Sequence, residues 1–381
     1  MYQLTINGLS EQDFLTQYWQ KKPLLIKQGF QHFVDPLDAN ELAGLAMEDS
    51  IESRIVTNHN DDWQAHHGPF TDFNLLTEQH ATLLVQAVDH WHPNAAQLLE
   101  PFRFIPNWRI DDLMISFSTP GGGVGPHLDQ YDVFIIQGEG KRHWRVGLPD
   151  ASLKQFAQNK SLLQVEQFPA VIDCLLEPGD VLYIPPGCPH EGYAVENALN
   201  YSVGFRAPNQ RDLISQFADH LIDTELGNSR YSDAALTLRH SKGELSHTEA
   251  NSLQQLMIAA IQDDTLFKTW LGNSISQPKH EMDLAPPETP YTLADLHALL
   301  ADDDCVFERL GGTRAVYQRI DNKILLSVNG VNYAHDECCL TAIKLLTDQS
   351  TVTAAEIKSS KNNHTFLETF TTLLNEGIWF C

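Results

Sequence analysis

Cationic residues are scarce in this chain of 381 residues. It holds 25 Lys and Arg against 50 Asp and Glu, for a net charge of −25 and a pI near 4.9. Such a surface repels phosphate backbones, so no direct DNA binding is expected, and it would attract a basic protein partner. Paired cysteines are also lacking. The six cysteines (Cys174, Cys188, Cys305, Cys338, Cys339 and Cys381) form no C-x-x-C. That argues against a zinc ribbon or a thioredoxin-like site and suits reduced thiols in a cytoplasmic protein. No apolar run approaches the roughly 20 residues of a membrane span. The opening MYQLTINGLSEQDF has neither the basic region nor the apolar core of a signal peptide. What remains is a chain with 42% hydrophobic and 20% charged residues, which suits a globular protein with a substantial core and two or three domains.

Three zones follow from pattern. In residues 1–209, short apolar runs alternate with Gly/Pro turns, predicting a mostly β domain. SEQDFLTQYW predicts a short helix with Ser10 as N-cap and Asp13 in the capping-box position, stopped before Pro23. Strands are predicted at LLIK, DDLMISFS, YDVFIIQG, KRHWRVGL, VIDCLLE, DVLYIP and LNYSVGFR, with turns at PGGGVGP, GEG and EPGD. Many short strands of this kind suggest a sandwich or barrel. Residues 210–279 have helical periodicity in RDLISQFADHLIDTEL and again in ANSLQQLMIAAIQDDTLFKTWL, which predicts a helical pair. After the linker-like DLAPPETPYT, residues 280–381 mix helices (LADLHALL, ECCLTAIKLLT, HTFLETFTTLLNEG) with strands (VFERLGG, AVYQRI, KILLSVNG), a winged-helix-like content. This last zone is itself acidic, which speaks against DNA binding despite that content.

Two segments carry chemistry. In GGGVGPHLDQYDVFIIQGEGKRHWRVG, His127 and Asp129 stand two residues apart, so a β-strand would turn both side chains to one face. In LEPGDVLYIPPGCPHEGYAVENALNYSVGF, a turn at Pro178-Gly179, a strand and a rigid Pro185-Pro186-Gly187 bend would present His190 at the mouth of a barrel. Two imidazoles and one carboxylate that leave positions open suit non-haem Fe(II) better than a tetrahedral zinc site, which would take more His or Cys. In a chain with 17 histidines, an isolated H-x-D commonly sits on a solvated loop, so it is the coupling to His190 in a β context that gives the pattern meaning.

These stretches, with EQDFLTQYWQKKPLLIK and NSISQPKHEMDLAPPE, resemble the JmjC-domain oxygenases of the cupin superfamily, most of all the bacterial ribosomal oxygenases. The resemblance implies a mainly β plus α chain: a double-stranded β-helix over 1–209, a helical dimerisation segment over 210–279 and a winged-helix-like domain over 280–381. It implies an Fe(II)- and 2-oxoglutarate-dependent enzyme that uses O2 to hydroxylate an arginyl side chain of ribosomal protein L16 at its β-carbon, acting as a homodimer. His127, Asp129 and His190 match the iron ligands. Arg142 matches the residue that grips the distal carboxylate of 2-oxoglutarate, a task suited to a guanidinium, with Lys141 and Arg145 as rivals. Ser116 resembles a residue that helps hold the cosubstrate. Asp112 and Tyr131 resemble residues lining the peptide side, where a carboxylate would pair with the arginyl guanidinium and a ring would pack on its stem. Asp129 stands where other cupins carry a second His, as expected for 2-oxoglutarate oxygenases.

Three rivals stay open at this level. They are lysine demethylation by the same iron chemistry, a non-catalytic cupin that binds a ribosomal protein during assembly, and a small-molecule dioxygenase.

Overall fold

The computed structural model describes residues 2–60, 62–77, 79–159, 162–357, 360 and 363–381. The chain divides into two units. The first comprises Met1–Ala207, Lys279–Leu284 and Leu310–Thr313; the second comprises Pro208–Pro278, Ala285–Arg309 and Arg314–Cys381.

The first unit is the expected double-stranded β-helix. An eight-stranded antiparallel sheet runs in the order β1 (Leu24–Ile26), β12 (Val181–Ile184), β7 (Val133–Gln137), β14 (Ala198–Phe205), β5 (Ile110–Ser118), β4 (Ala81–Val85), β2 (Ser53–His59) and β3 (Asp62–His67). A four-stranded sheet has the order β11 (Ala170–Leu176), β8 (Arg142–Gly147), β13 (Pro189–Ala194) and β6 (His127–Leu128). The hairpin β9 (Gln155–Asn159) and β10 (Leu162–Val165) completes the set.

Strand alternation assigns the faces. In β7, Phe134 and Ile136 join an outer core with Val181 and Tyr183 of β12, Tyr201 and Val203 of β14, and Phe14 of the helix α1 (Glu11–Gln17). Val133 and Ile135 turn the other way, to an inner core with Trp144, Val146, Leu182 and Ile184. The period of two thus buries both faces of the central strands, which is why they read as unbroken apolar runs. Helix α1 starts as predicted: Ser10 accepts from the Asp13 backbone N–H at 3.1 Å, and Asp13 returns a bond to Ser10.

The turn before β12 depends on its sequence. Gly179 has φ +87°, and a Cβ there would lie 2.2 Å from the carbonyl oxygen of Phe30. Only glycine tolerates both conditions. Asp180 closes this turn by accepting the N–H of Glu177 at 2.8 Å and of Gln28 at 2.9 Å.

In the second unit, Phe217 of α4 (Gln210–Asp223) stacks edge-on against Trp270 of α6 (Asp264–Ser276), and both are buried. The helical stretch read at residues 250–271 is instead two helices, α5 (His247–Gln262) and α6. Asp263 takes ψ 101° and its carboxylate accepts the Leu266 N–H at 3.0 Å. A short acid that caps the following helix competes with continuation of the preceding one. Most of residues 210–279 and of 280–381, read in the sequence as separate segments, lie within the second unit. Gln318 donates to the Lys268 carbonyl and Asn332 to the Thr269 carbonyl, both at 2.9 Å, so α6 packs directly on the three-stranded sheet of Ala315–Ile320, Lys323–Val328 and Val331–Asp336. Residues 279–284, assigned in sequence partly to the C-terminal domain, belong with the β-helix. Among the described residues, no helix is long and apolar enough to cross a membrane.

One buried ionic cluster holds strand ends of the first unit together. The fully buried carboxylate of Asp132 accepts from Tyr183 Oη at 2.6 Å, Gln20 Nε2 at 3.0 Å and Arg109 Nη2 at 3.1 Å. We expect Asp132→Ala to cost about 3–5 kcal/mol by stranding a partly buried guanidinium and a buried hydroxyl. Asp132→Asn, which still accepts, is expected to cost less; urea denaturation of the three proteins measures the order.

Candidate metal centre

His127, Asp129 and His190 converge. Their nearest ligand atoms all lie within 4.8 Å of one another. The β6–β13 pairing sets His127 directly opposite His190, with ring centroids 4.2 Å apart. Strand β6 is only two residues long, so Asp129 lies just past it. The Gly187 N–H donates to the Asp129 carbonyl at 2.8 Å and so ties the Pro-Pro-Gly bend to this segment. From there, Asp129 Oδ2 is 3.6 Å from His190 Nε2 and Oδ1 is 4.0 Å from His127 Nε2.

The tautomers follow from the backbone. His127 Nδ1 is 2.9 Å from the Gly125 carbonyl and His190 Nδ1 is 2.9 Å from the Cys188 carbonyl. A carbonyl only accepts, so each Nδ1 carries the proton and each Nε2 turns a bare lone pair toward Asp129. Burial, helped by the nearby His127 ring and opposed by Asp129, pushes the His190 imidazole down to about 4, which keeps it neutral. Two neutral nitrogens and a carboxylate facing one point fit a divalent cation of the iron type.

A cavity of about 220 Å3 opens beside this cluster and is lined by Ser116, Arg142, Trp144, Asn200, Asp112 and Tyr131 among others. Arg142 is buried, and burial lowers its pKa to about 10. It donates to Ser118 Oγ at 3.2 Å, Ser116 Oγ at 3.4 Å and the Gly192 carbonyl at 3.0 Å, while its Nε has no partner. Among the described residues, no carboxylate pairs with it. The rival cations differ: Lys141 meets Glu177 at 2.8 Å, and Arg145 meets Glu191 at 2.6 Å and Asp173 at 3.6 Å. A desolvated guanidinium with no counter-charge is a receptor for an anion, and a carboxylate suits its fork.

The far side of the cavity is acidic. Asp112 accepts the Ala87 N–H at 3.0 Å. Its pKa is raised to about 6, first by burial and then by Asp89 and Asp111, with His280 opposing. Asp111 is neutralised by Arg206 at 2.9 Å and by Lys279. Tyr131 stands half-exposed at the rim, its hydroxyl kept protonated chiefly by the charge of Asp129.

Sequence reading missed Ser118, Trp144 and Asn200. Asn200 Oδ1 and Trp144 Nε1 are buried against the cavity without partners. The alternation Asn200, Ser202, Gly204 in LNYSVGF was an available signal, since polar or small residues at every second place mark an inward face.

Comparison with known proteins gives the following. A family model described as "JmjC domain" matches residues 97–213, and one described as "ROXA-like winged helix" matches residues 259–380. The chain is 48% identical to the "Ribosomal protein uL16 3-hydroxylase" of Escherichia coli (strain K12), covering 100% of this chain and 99% of that protein. It is 32% identical to the "Probable ribosomal oxygenase" of Haemophilus influenzae, covering 83% of this chain and 80% of that one. The solved structure of the E. coli ribosomal oxygenase YcfD in complex with cobalt and 2-oxoglutarate is similar with a TM-score of 0.90 and 48% identity, covering 100% of this chain and 99% of that chain.

We expect Asp129→Ala to lose more than about 100-fold in affinity for Fe(II) or Co(II), because the remaining pair of imidazoles leaves the cation's charge unmatched. Metal titration checks this, alongside an unchanged thermal unfolding midpoint that shows the fold is intact.

Proposed function

The chain belongs to the bacterial ribosomal oxygenases of the JmjC family, and from that premise we propose that it hydroxylates an arginyl side chain of ribosomal protein uL16 at the β-carbon. His127, Asp129 and His190 hold Fe(II). Arg142, steadied by Ser116 and Ser118, anchors the distal carboxylate of 2-oxoglutarate. Asp112 receives the guanidinium of the substrate, and the Tyr131 ring packs along its methylene stem. With the metal bound, Fe(II) and 2-oxoglutarate supply the activation of O2 that inserts one oxygen atom into a C–H bond, while the cosubstrate leaves as succinate and CO2. The protein's own part is placement: its buried walls exclude water and fix the target carbon beside the metal.

The observation that carries this reading is the juxtaposition of a two-His, one-Asp cluster with a buried arginine that has no carboxylate partner among the described residues. A non-catalytic binding protein has no need of either. The excess of acid over base suits a basic protein substrate, and a cytoplasmic enzyme suits a ribosomal one. Exposed apolar side chains along α4 and α5, including Ile214, Ile222, Met257 and Ile261, support a homodimer.

Incubating uL16 with enzyme, Fe(II), 2-oxoglutarate and O2 is expected to add the mass of one oxygen atom to an arginine-containing peptide. Loss of a CH2 from a methylated lysine would point instead to demethylation, and no mass change with no succinate formed would reject the enzyme reading.

Asp112 also gives a pH dependence. Its folded-state pKa is raised to about 6, so the carboxylate is ionised above that value and lost as pH falls through it. We expect KM for the arginyl substrate to rise about tenfold per pH unit below 6. Asp112→Asn should give a high KM that no longer varies between pH 5 and 7, by about twofold at most. An unaltered pH profile in the variant would remove Asp112 from the role.

A further inference from the structure

A second cavity, of about 570 Å3, lies in the first unit between the segments Tyr2–Thr5 and Phe30–Pro36, with Asn94 and Gln97 at its edge. None of its lining residues borders the metal-centre cavity. Aromatic rings make part of its wall. Tyr2 and Phe33 lie 5.6 Å apart at 35°, and Phe30 meets Tyr2 edge-on at 6.2 Å. Tyr2 Oη donates to the Val34 carbonyl at 2.8 Å, which fixes the ring.

Among the described residues lining this cavity, Asp35 is the one carboxylate. It is partly buried, and burial raises its pKa. Its Oδ1 accepts from Tyr201 Oη at 2.7 Å and from the Glu139 N–H at 3.2 Å. No cation pairs with it among the described residues. Two neutral donors offset part of the cost of withdrawing a carboxylate from water; a cation would offset the rest.

We propose that this cavity receives an arginyl side chain of the protein substrate, away from the residue that is hydroxylated. Asp35 pairs with the guanidinium, the aromatic wall of Tyr2 and Phe33 offers a ring face to its plane, and Gln31, Asn94 and Gln97, which line the same cavity, carry side-chain carbonyls able to accept its remaining N–H groups. Arginine is favoured over lysine because a planar cation matches an aromatic face. The arginyl chemistry follows from the cavity itself, while its assignment to the substrate rests on the function proposed above. A basic protein held at two separate points binds more tightly than a short peptide held at one, and does so with no change in the chemical step.

Two measurements test this. In the first, acetyl-arginine amide is titrated into the full-length protein and the Tyr2 and Phe33 ring resonances are followed by NMR, with acetyl-citrulline amide as the neutral control. The arginine compound is expected to shift both rings saturably and the citrulline compound is not. Asp35→Asn, which keeps the acceptor for Tyr201, is expected to abolish the shift. So is Gln97→Lys, a surface change that places a competing cation at the edge. No saturable shift in the wild type, or equal shifts in both variants, overturns the proposal.

The second measurement compares turnover of full-length uL16 with that of a short peptide bearing the target arginine. Both variants should raise KM for the full-length protein roughly tenfold, the order of a single charge-assisted contact. They should leave kcat, and KM for the short peptide, unchanged. An unchanged KM for the full-length protein, or an equal rise for both substrates, overturns the proposal. If the wild type hydroxylates neither substrate, it is the proposed function that fails, and the NMR titration still reads the cavity.

Discussion

The antiparallel pairing of His127 with His190 is the constraint on which the site depends. It joins two strands that are short and far apart in sequence, and it leaves each ring one backbone carbonyl to satisfy, at Gly125 and at Cys188. Both local bonds protonate Nδ1, so the register and the tautomer are set by the same stretch of backbone. A shift of one residue in this register would turn one imidazole to the opposite face and dissolve the cluster. The Gly187 bend, bonded to the Asp129 carbonyl, guards against that shift from the acid's side.

Several cations of the first unit are neutralised in place. Cations with a structural role are paired: Arg109 with Asp132, Arg206 and Lys279 with Asp111, Arg145 with Glu191. Among the described residues, Arg142 and Arg54 in the metal-centre cavity have no carboxylate partner, and Asp112 has only a distant imidazole, His280 at 3.9 Å, and one backbone N–H. Arg142 and Asp112 carry opposite charge, which suits ligands of opposite charge. The neighbouring acids show how finely this is divided, since Asp111 is neutralised while Asp112, one residue on, is held half-available.

Much of this was legible in the sequence because the signals were local. The capping box at Ser10 and Asp13, the turn at Gly179 and the alternating strands of the β-helix each follow from a few adjacent residues. His127 and Asp129 were legible from their spacing, and His190 from the rigid bend before it. Arg142 was favoured over Lys141 and Arg145 by its motif match alone; its facing was not legible, because facing and pairing depend on strands β11 and β13 that supply Asp173 and Glu191. Asp263 splitting one predicted helix into two was obscured by a continuous helical period on either side. The return of residues 279–284 to the first unit was illegible for a plainer reason: nothing in QPKHEMDL announces that Lys279 will meet an acid far back in the chain.

That returning segment makes the catalytic unit discontinuous along the polypeptide. Lys279 reaches Asp111, His280 faces Asp112 at 3.9 Å, and the Glu281 carbonyl meets His90 at 2.9 Å. A ribosome releasing the chain in order would finish every strand of the β-helix before these three residues emerged. The His127, Asp129 and His190 cluster could therefore assemble early, whereas the acidic wall reaches its final electrostatic state only after the helices have been made. The surroundings of Asp112 would thus be completed later in synthesis than the cluster of two imidazoles and one carboxylate.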